Sequence, residues 1–226
     1  FKEFLERVQK PAIDIERAKK VFHDMVSGEP KLDVLLDAPF KTVKLRSNDK
    51  SAKTIDGVVA GRQGEEKLFK AQTYIDATQD ADVAYESGVP YFIGASDIGL
   101  KNKMMSATLI FGVRGIDWTH LKWMLKSENA MYSGATDTHA WGFAREMRKY
   151  KPLYNNVYLR GLNIAKQTDG TALINGLLLF GVDGVNEASK KEAYSRAMQE
   201  ITRIVEFLSK EMEPFKEVSL AGVAEE

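Results

Sequence analysis

The side chains best placed to do chemistry lie in two stretches. In the first, His139 stands two residues before Trp141, Arg145 and Arg148 follow, and Arg160 comes after Pro152. A neutral imidazole near guanidinium groups can bind a carboxylate and hold or deliver a proton. His139, Arg145 and Arg160 are therefore the candidate catalytic residues. The competing reading is a loop histidine among solvated arginines. His23 and His120 fall on polar stretches of predicted helices and read as surface residues. The three histidines are too far apart for metal-ligand spacing. Tyr150, Tyr154 and Tyr158 recur every four residues, but Pro152 interrupts any helix that would align them, so they read as packing residues. No Ser-His-Asp arrangement can be argued.

The second stretch is residues 73–88, Thr-Tyr-Ile-Asp-Ala-Thr-Gln-Asp-Ala-Asp-Val-Ala-Tyr-Glu-Ser-Gly. Tyr74 and Ile75 predict a short strand, Ala77-Thr78-Gln79 a turn, and Asp80 the N-cap of a short helix. Asp82 would sit in the first turn, Gly88 would take the left-handed position after the last, and Pro90 would stop the helix resuming. A strand, a turn and a helix N-terminus bring backbone N–H groups together, which suits an anionic or polar ligand. A capped βα junction with no ligand is the alternative on shape alone.

These residues, with Gly88-Val89-Pro90-Tyr91 and Gly94 behind them, resemble the second flavin-contacting segment of the FAD-dependent oxidoreductases. Those are two-domain flavoproteins whose FAD domain is related to that of glutathione reductase and the fumarate reductase flavoprotein. The family segment usually reads Asp-Ala-Thr-Gly-Asp-x-Asp, and Gln79 stands here where glycine is usual. The resemblance implies cofactor contacts at Ala77, Thr78, Gln79 and Asp80. It also implies an adenine contact near Phe40, which could equally be a hydrophobic plug at a strand end. Further on, Arg160-Gly161-Leu162-Asn163-Ile164, Ala172-Leu173-Ile174-Asn175-Gly176 and Gly181-Val182-Asp183-Gly184 look like the substrate domain of one bacterial branch of the family. Residues 220–226 look like the lead-in to its return to the FAD domain.

Elements that would position these residues can be read along the chain. Residues 1–10 read as the tail of an amphipathic helix, and Asp14 caps a predicted helix over 15–26. Strands are predicted over 32–36, 41–46, 54–60 and 68–75, giving a small antiparallel meander that feeds the 73–88 motif. Polar turns are expected over 47–53 and 61–66, and a polar loop over 96–103. Beyond it, a strand is predicted over 105–114, a helix over 116–127, a loop over 129–139 and a short helix over 141–150. Asp169-Gly170 predicts a hairpin between strands 158–166 and 171–180. Ser189 with Glu192 reads as a capping box for the longest helix, whose stripe is Ala193, Ala197, Ile201, Ile204, Val205, Leu208 and Met212. Pro214 stops it.

The fold class is α+β (α/β-related). With the resemblance, it becomes a partial FAD-binding domain with a β-meander over 1–94, a mixed sheet/helix substrate domain over 95–214, and the start of a return to the FAD domain over 215–226. At 226 residues, 44% hydrophobic and 28% charged, the composition is that of an ordinary globular protein. Its 32 basic residues balance 32 acidic ones, so no field favours nucleic acid or an anionic membrane. The absence of cysteine excludes disulfides, thiol catalysis and Cys-ligated metal, and fits a cytoplasmic protein. No apolar run has the length of a membrane span.

No Gly-x-Gly-x-x-Gly occurs anywhere in the sequence. The chain opens on Phe1 and closes on Glu226, and it reads as an excerpt of a longer, FAD-dependent oxidoreductase acting on a small-molecule substrate. Its partners would be the missing N- and C-terminal parts of its own FAD domain. Alone it is expected to hold FAD weakly and to be inactive. The competing function is a non-catalytic α+β binding or interaction domain of flavoprotein-like shape.

Overall fold

The computed structural model describes residues 2–8, 12–48, 52–62, 64–100, 103–126 and 132–224. The chain divides into two compact units, residues 30–102 and residues 1–29 together with 103–226. Among the described residues no helix is long and apolar enough to cross a membrane.

The 30–102 unit is built on an antiparallel meander of β1 (Phe40–Asn48), β2 (Ala52–Arg62) and β3 (Glu65–Phe69). A tight turn at Gly64 joins β2 to β3, so the third strand starts earlier than the 68–75 expectation and is shorter. Neither the predicted 32–36 strand nor the 73–75 one forms. Both segments are irregular, because no described strand lies beside them to complete a ladder. The middle of the 47–53 turn lies outside the described residues, as do residues 63, 101 and 102 of the other two predicted connections. A short helix, α1 (Asp82–Glu86), follows the meander.

The other unit contains a six-stranded antiparallel sheet. Its strands are β4 (Phe111–Arg114), β5 (Gly134–Ala135), β6 (His139–Gly142), β7 (Val157–Lys166), β8 (Ala172–Leu179) and β9 (Ser219–Val223). Their order across the sheet is β5-β6-β7-β8-β4-β9. The β7–β8 turn forms as predicted: Gly170 adopts a φ of 83°, and the Asp169 carboxylate accepts from the Thr171 N–H and hydroxyl at 2.9 and 2.6 Å. The predicted 105–114 strand shortens to β4, preceded by an isolated bridge between Ala107 and Leu179. Part of the expected 129–139 loop is instead the β5–β6 hairpin, although residues 129–131 lie outside the described set. The predicted 141–150 helix contracts to Ala144–Met147, because Trp141 belongs to β6.

One face of this sheet is packed by helix α2 (Glu187–Glu211), which buries Ala193, Ala197, Ile201, Ile204 and Leu208. The stripe is the predicted one; the cap is not. Asn186 Oδ1 accepts from the N–H groups of Ala188 and Ser189, while the Ser189 hydroxyl accepts from the Asp183 N–H at 2.9 Å. Side chains of the sheet facing α2, among them Phe111, Ile164, Ile174 and Leu177, are 0–1% exposed. Helix α3 (Trp118–Lys126) adds Leu121 and Leu125 to this core.

The N-terminal helices Lys2–Arg7 and Ile15–Ser27 belong to the same unit. Asp14 caps the second, as predicted, through Oδ1 and the Arg17 N–H at 2.9 Å. Its other oxygen accepts from the Thr168 N–H and hydroxyl at 2.8 and 2.9 Å, which fastens the helix to the β7–β8 turn. Gln167 completes the seam by accepting from the Ile15 N–H at 2.9 Å and donating to the Ile13 carbonyl.

Candidate functional site

In the 30–102 unit the 76–82 segment is organised by one carboxylate. Asp76 Oδ1 accepts from the Thr78 N–H and hydroxyl at 3.0 and 2.7 Å, and Oδ2 accepts from the Ala84 N–H at 2.8 Å. The Thr78 hydroxyl oxygen in turn accepts from the Asp82 N–H at 2.8 Å. The Ala84 hydrogen bond, followed by those from Thr78, holds the Asp76 carboxyl below its ordinary pKa. The helix is therefore capped from within by Asp76 and Thr78. Asp80 is not the N-cap. That position is Ala81, in the left-handed region at φ 58°, with no side-chain cap of its own. The far end matches expectation: Gly88 has a φ of 74°, and the Gly88 and Val89 N–H groups bond to Tyr85 and Ala84 carbonyls in a Schellman arrangement.

These bonds bear on the expectation of an anionic or polar ligand here: the first-turn N–H groups of Asp82 and Ala84 already serve Thr78 and Asp76. Residues 71–100 also carry five carboxylates and no lysine, arginine or histidine, so the segment itself brings only like charge to a phosphate. The turn itself is accessible: Ala77, Gln79 and Asp80 are exposed and Thr78 is half-buried. Its free surface is polar and uncharged at Ala77 to Gln79. Phe40 is half-buried at the start of β1, opposite Ala60. Two residues later the Thr42 hydroxyl donates to Glu86 Oε2 at 3.2 Å, which ties α1 to the same strand.

In the large-sheet unit His139 opens β6 and stacks on Trp141, with ring centroids 5.1 Å apart and planes at 25°. Trp141 lies over Gly134 of the neighbouring strand, where an added Cβ would meet the indole at 2.5 Å. Burial pushes the imidazole below the ordinary histidine pKa, and its buried Nδ1 has no hydrogen-bond partner among the described residues. Arg160 lies on β7 and is exposed. His139 pairs with Ala165, so Arg160 stands five residues farther along β7, roughly 15 Å at strand spacing. Arg145 is exposed on the short Ala144–Met147 helix, whose neighbours Phe143 and Met147 turn into the core. The structure thus places His139 and Arg160 on adjacent strands of one sheet, but does not bring the three residues into mutual contact. Among the described residues neither arginine forms an ion pair.

Sequence reasoning missed the role of Asp76, although Asp-x-Thr is a side-chain turn signal that could have revealed it. It also missed Glu200. This fully buried carboxylate on α2 accepts from the Tyr150 hydroxyl through a short bond, and from the Leu153 and Tyr154 N–H groups at 2.7 and 3.1 Å. Burial, followed by the Glu200 bond, raises the Tyr150 pKa far above that of a free phenol. Tyr150 is a packing residue, as its spacing implied, with the added task of pinning the 150–154 segment to α2.

The family model described as FAD dependent oxidoreductase matches residues 2–226. No curated protein and no solved structure matches the chain.

Proposed function

This chain belongs to the FAD-dependent oxidoreductase family, and from that premise we propose that it contributes one wall of a flavin site and the substrate-facing sheet of an enzyme acting on a small organic molecule. The observation that supports this most directly is the Asp76 clasp. It spends a carboxylate on shaping an accessible turn at the place where the family segment meets its cofactor.

FAD, when bound, supplies reversible two-electron redox chemistry. The chain's own residues would do the positioning. Ala77, Thr78, Gln79 and Asp80 would border a neutral part of the cofactor, with Phe40 near its adenine. Asp76 would keep that border fixed without paying for rearrangement on binding. Arg160 would attract an acidic group of the substrate, and Arg145 would add to the local positive potential. His139, kept neutral by burial, would accept or release a proton at Nδ1. No segment of these 226 residues carries Gly-x-Gly-x-x-Gly, so the amides that cradle a pyrophosphate would have to come from elsewhere.

Flavin absorbance tests the proposal. The product of the full reading frame should purify yellow or take up FAD on titration, and Asp76→Ala should lower its flavin content. The 226-residue chain alone should bind FAD much more weakly. A colourless full-length protein that refuses FAD would sink the reading and favour a non-catalytic binding domain.

A further inference from the structure

The burial pattern of β7 changes phase at Gly161. Val157 and Leu159 are buried and Tyr158 and Arg160 exposed, yet Leu162 and Ile164 are buried and Asn163 is exposed. The cause is a break in register with β8 between Leu159 and Asn163. In a regular strand Arg160 and Asn163, three residues apart, would point to opposite faces. Across that break β7 takes four steps where β8 takes two, and the irregular stretch returns Arg160 to the exposed face that carries Asn163, away from α2. Gly161 makes the irregularity possible, since an added Cβ would meet the Gly142 carbonyl oxygen at 2.9 Å.

Cross-strand register then assembles a row on that face. Trp141 pairs with Asn163 and Asn163 with Asn175, so an indole and two carboxamides lie on three neighbouring strands. At strand spacing the row is about 10 Å long. The Thr108 hydroxyl donates to Asn175 Oδ1 at 3.2 Å, which leaves the –NH2 of that amide as the group offered outward. The six strands contain no aspartate or glutamate. Of their cations, Arg114 pairs with Asp169 and Lys166 lies over the Trp118 ring, whereas Arg160 has no ion pair among the described residues.

We infer that this face is a binding floor for a planar, conjugated carboxylate, with Arg160 taking the carboxylate, the stacked His139–Trp141 pair packing against the ring and the Asn163 and Asn175 amides donating to its polar substituents. The inference rests on the reading that the chain meets a small substrate, and it names that substrate's class. Charge selects an anion, since Arg160 is the free cation on a floor without carboxylates. Shape selects a flat one, since the His139–Trp141 pair, stacked at 5.1 Å with the indole seated over Gly134, walls the row with an aromatic surface.

Benzoate is the probe, added to the 226-residue chain without FAD and followed by the side-chain amide signals of Asn163 and Asn175 and the indole N–H of Trp141. Benzoate should shift all three saturably, and uncharged benzamide should bind at least roughly tenfold more weakly. Arg160→Gln should weaken benzoate by a similar factor, with part of the affinity restored in Arg160→Lys. Asn163→Asp, which adds a negative charge to the floor, should abolish binding while leaving the circular dichroism spectrum unchanged. Equal binding of benzoate and benzamide, indifference to Arg160→Gln, or shifts confined to other residues would overturn the inference. Because FAD is absent, benzoate binding by a protein whose full-length form refuses flavin would sink only the flavin reading. A yellow full-length protein with a floor silent to benzoate would sink only this one.

Discussion

The two units are held together by different means. Around the six-stranded sheet, one apolar core runs from Phe111 through Ile164 and Ile174 to Ile201 and Phe215, with each of these side chains at most 1% exposed. In the 30–102 unit, Val43 and Val59 are the buried apolar side chains among the described residues, while Leu36, Ile75 and Phe92 are 70, 88 and 73% exposed. Order there comes from polar contacts instead. These are the Asp76 clasp, the Schellman turn, the Thr42–Glu86 bond, and Asp56 held between Arg46 and Lys70 at 2.6 and 3.1 Å. A core resists deformation everywhere at once, whereas a set of surface hydrogen bonds can open locally. The candidate substrate floor is therefore held by the whole core, whereas the candidate cofactor border keeps its shape only while its few polar contacts hold.

Mutations should expose that contrast. The largest effect is expected from Ile201→Ala, which empties a fully buried site in the core and should cost roughly 2–5 kcal/mol of stability, read from the urea midpoint. Glu200→Ala should follow, at roughly 2–4 kcal/mol, because the Tyr150 hydroxyl and two backbone N–H groups lose their acceptor in a dry site. In the same variant Tyr150 should become easier to ionise in an ultraviolet pH titration. Asp76→Ala should be milder and local. Amide exchange over residues 78–88 should quicken several-fold while α2 keeps its protection, and loss of protection in both units together would show that they are not independent.

The gentlest test is acid. Burial alone would raise the Asp14 carboxyl, but the bonds from Thr168 and Arg17 outweigh it and hold the folded-state pKa below the ordinary value. A depressed pKa means the stabilisation is complete above the unfolded value and fades as pH falls through the folded one. The Ile15–Ser27 helix should thus loosen from the β7–β8 turn below about pH 4, seen as faster exchange at Arg17 and Thr168. Asp14→Asn should remove that pH dependence. If the seam tightens on acidification, the sign of the Asp14 shift is wrong.

How legible each feature was depended on how far its cause reached along the chain. Asp14 and its helix, the Asp169-Gly170 hairpin and the α2 stripe were readable because cap, turn and periodicity are local signals. The clasp was misassigned to Asp80 because the true acceptor, Asp76, reaches eight residues forward to Ala84. The β6 strand hid in a predicted loop and helix, since His139 to Gly142 becomes a strand only by pairing with residues 162–165. Arg160 was selected by its charge, but the face it occupies depends on the irregularity at Gly161, which alternation of residue types does not announce. The 32–36 segment shows the converse: strong strand propensity, and no described neighbour to pair with.

The seam between Asp14 and Thr168 joins positions 154 residues apart. During synthesis the helix beginning at Ile15 leaves the ribosome on the order of ten seconds before the hairpin that receives it. Throughout that interval its N-terminus has only its own aspartate for a cap, and Phe22 has only the ring of Phe4 to lie against. Docking of this helix in the nascent chain is thus a late event, set by the arrival of Thr168, and until then the helix is a natural target for a chaperone.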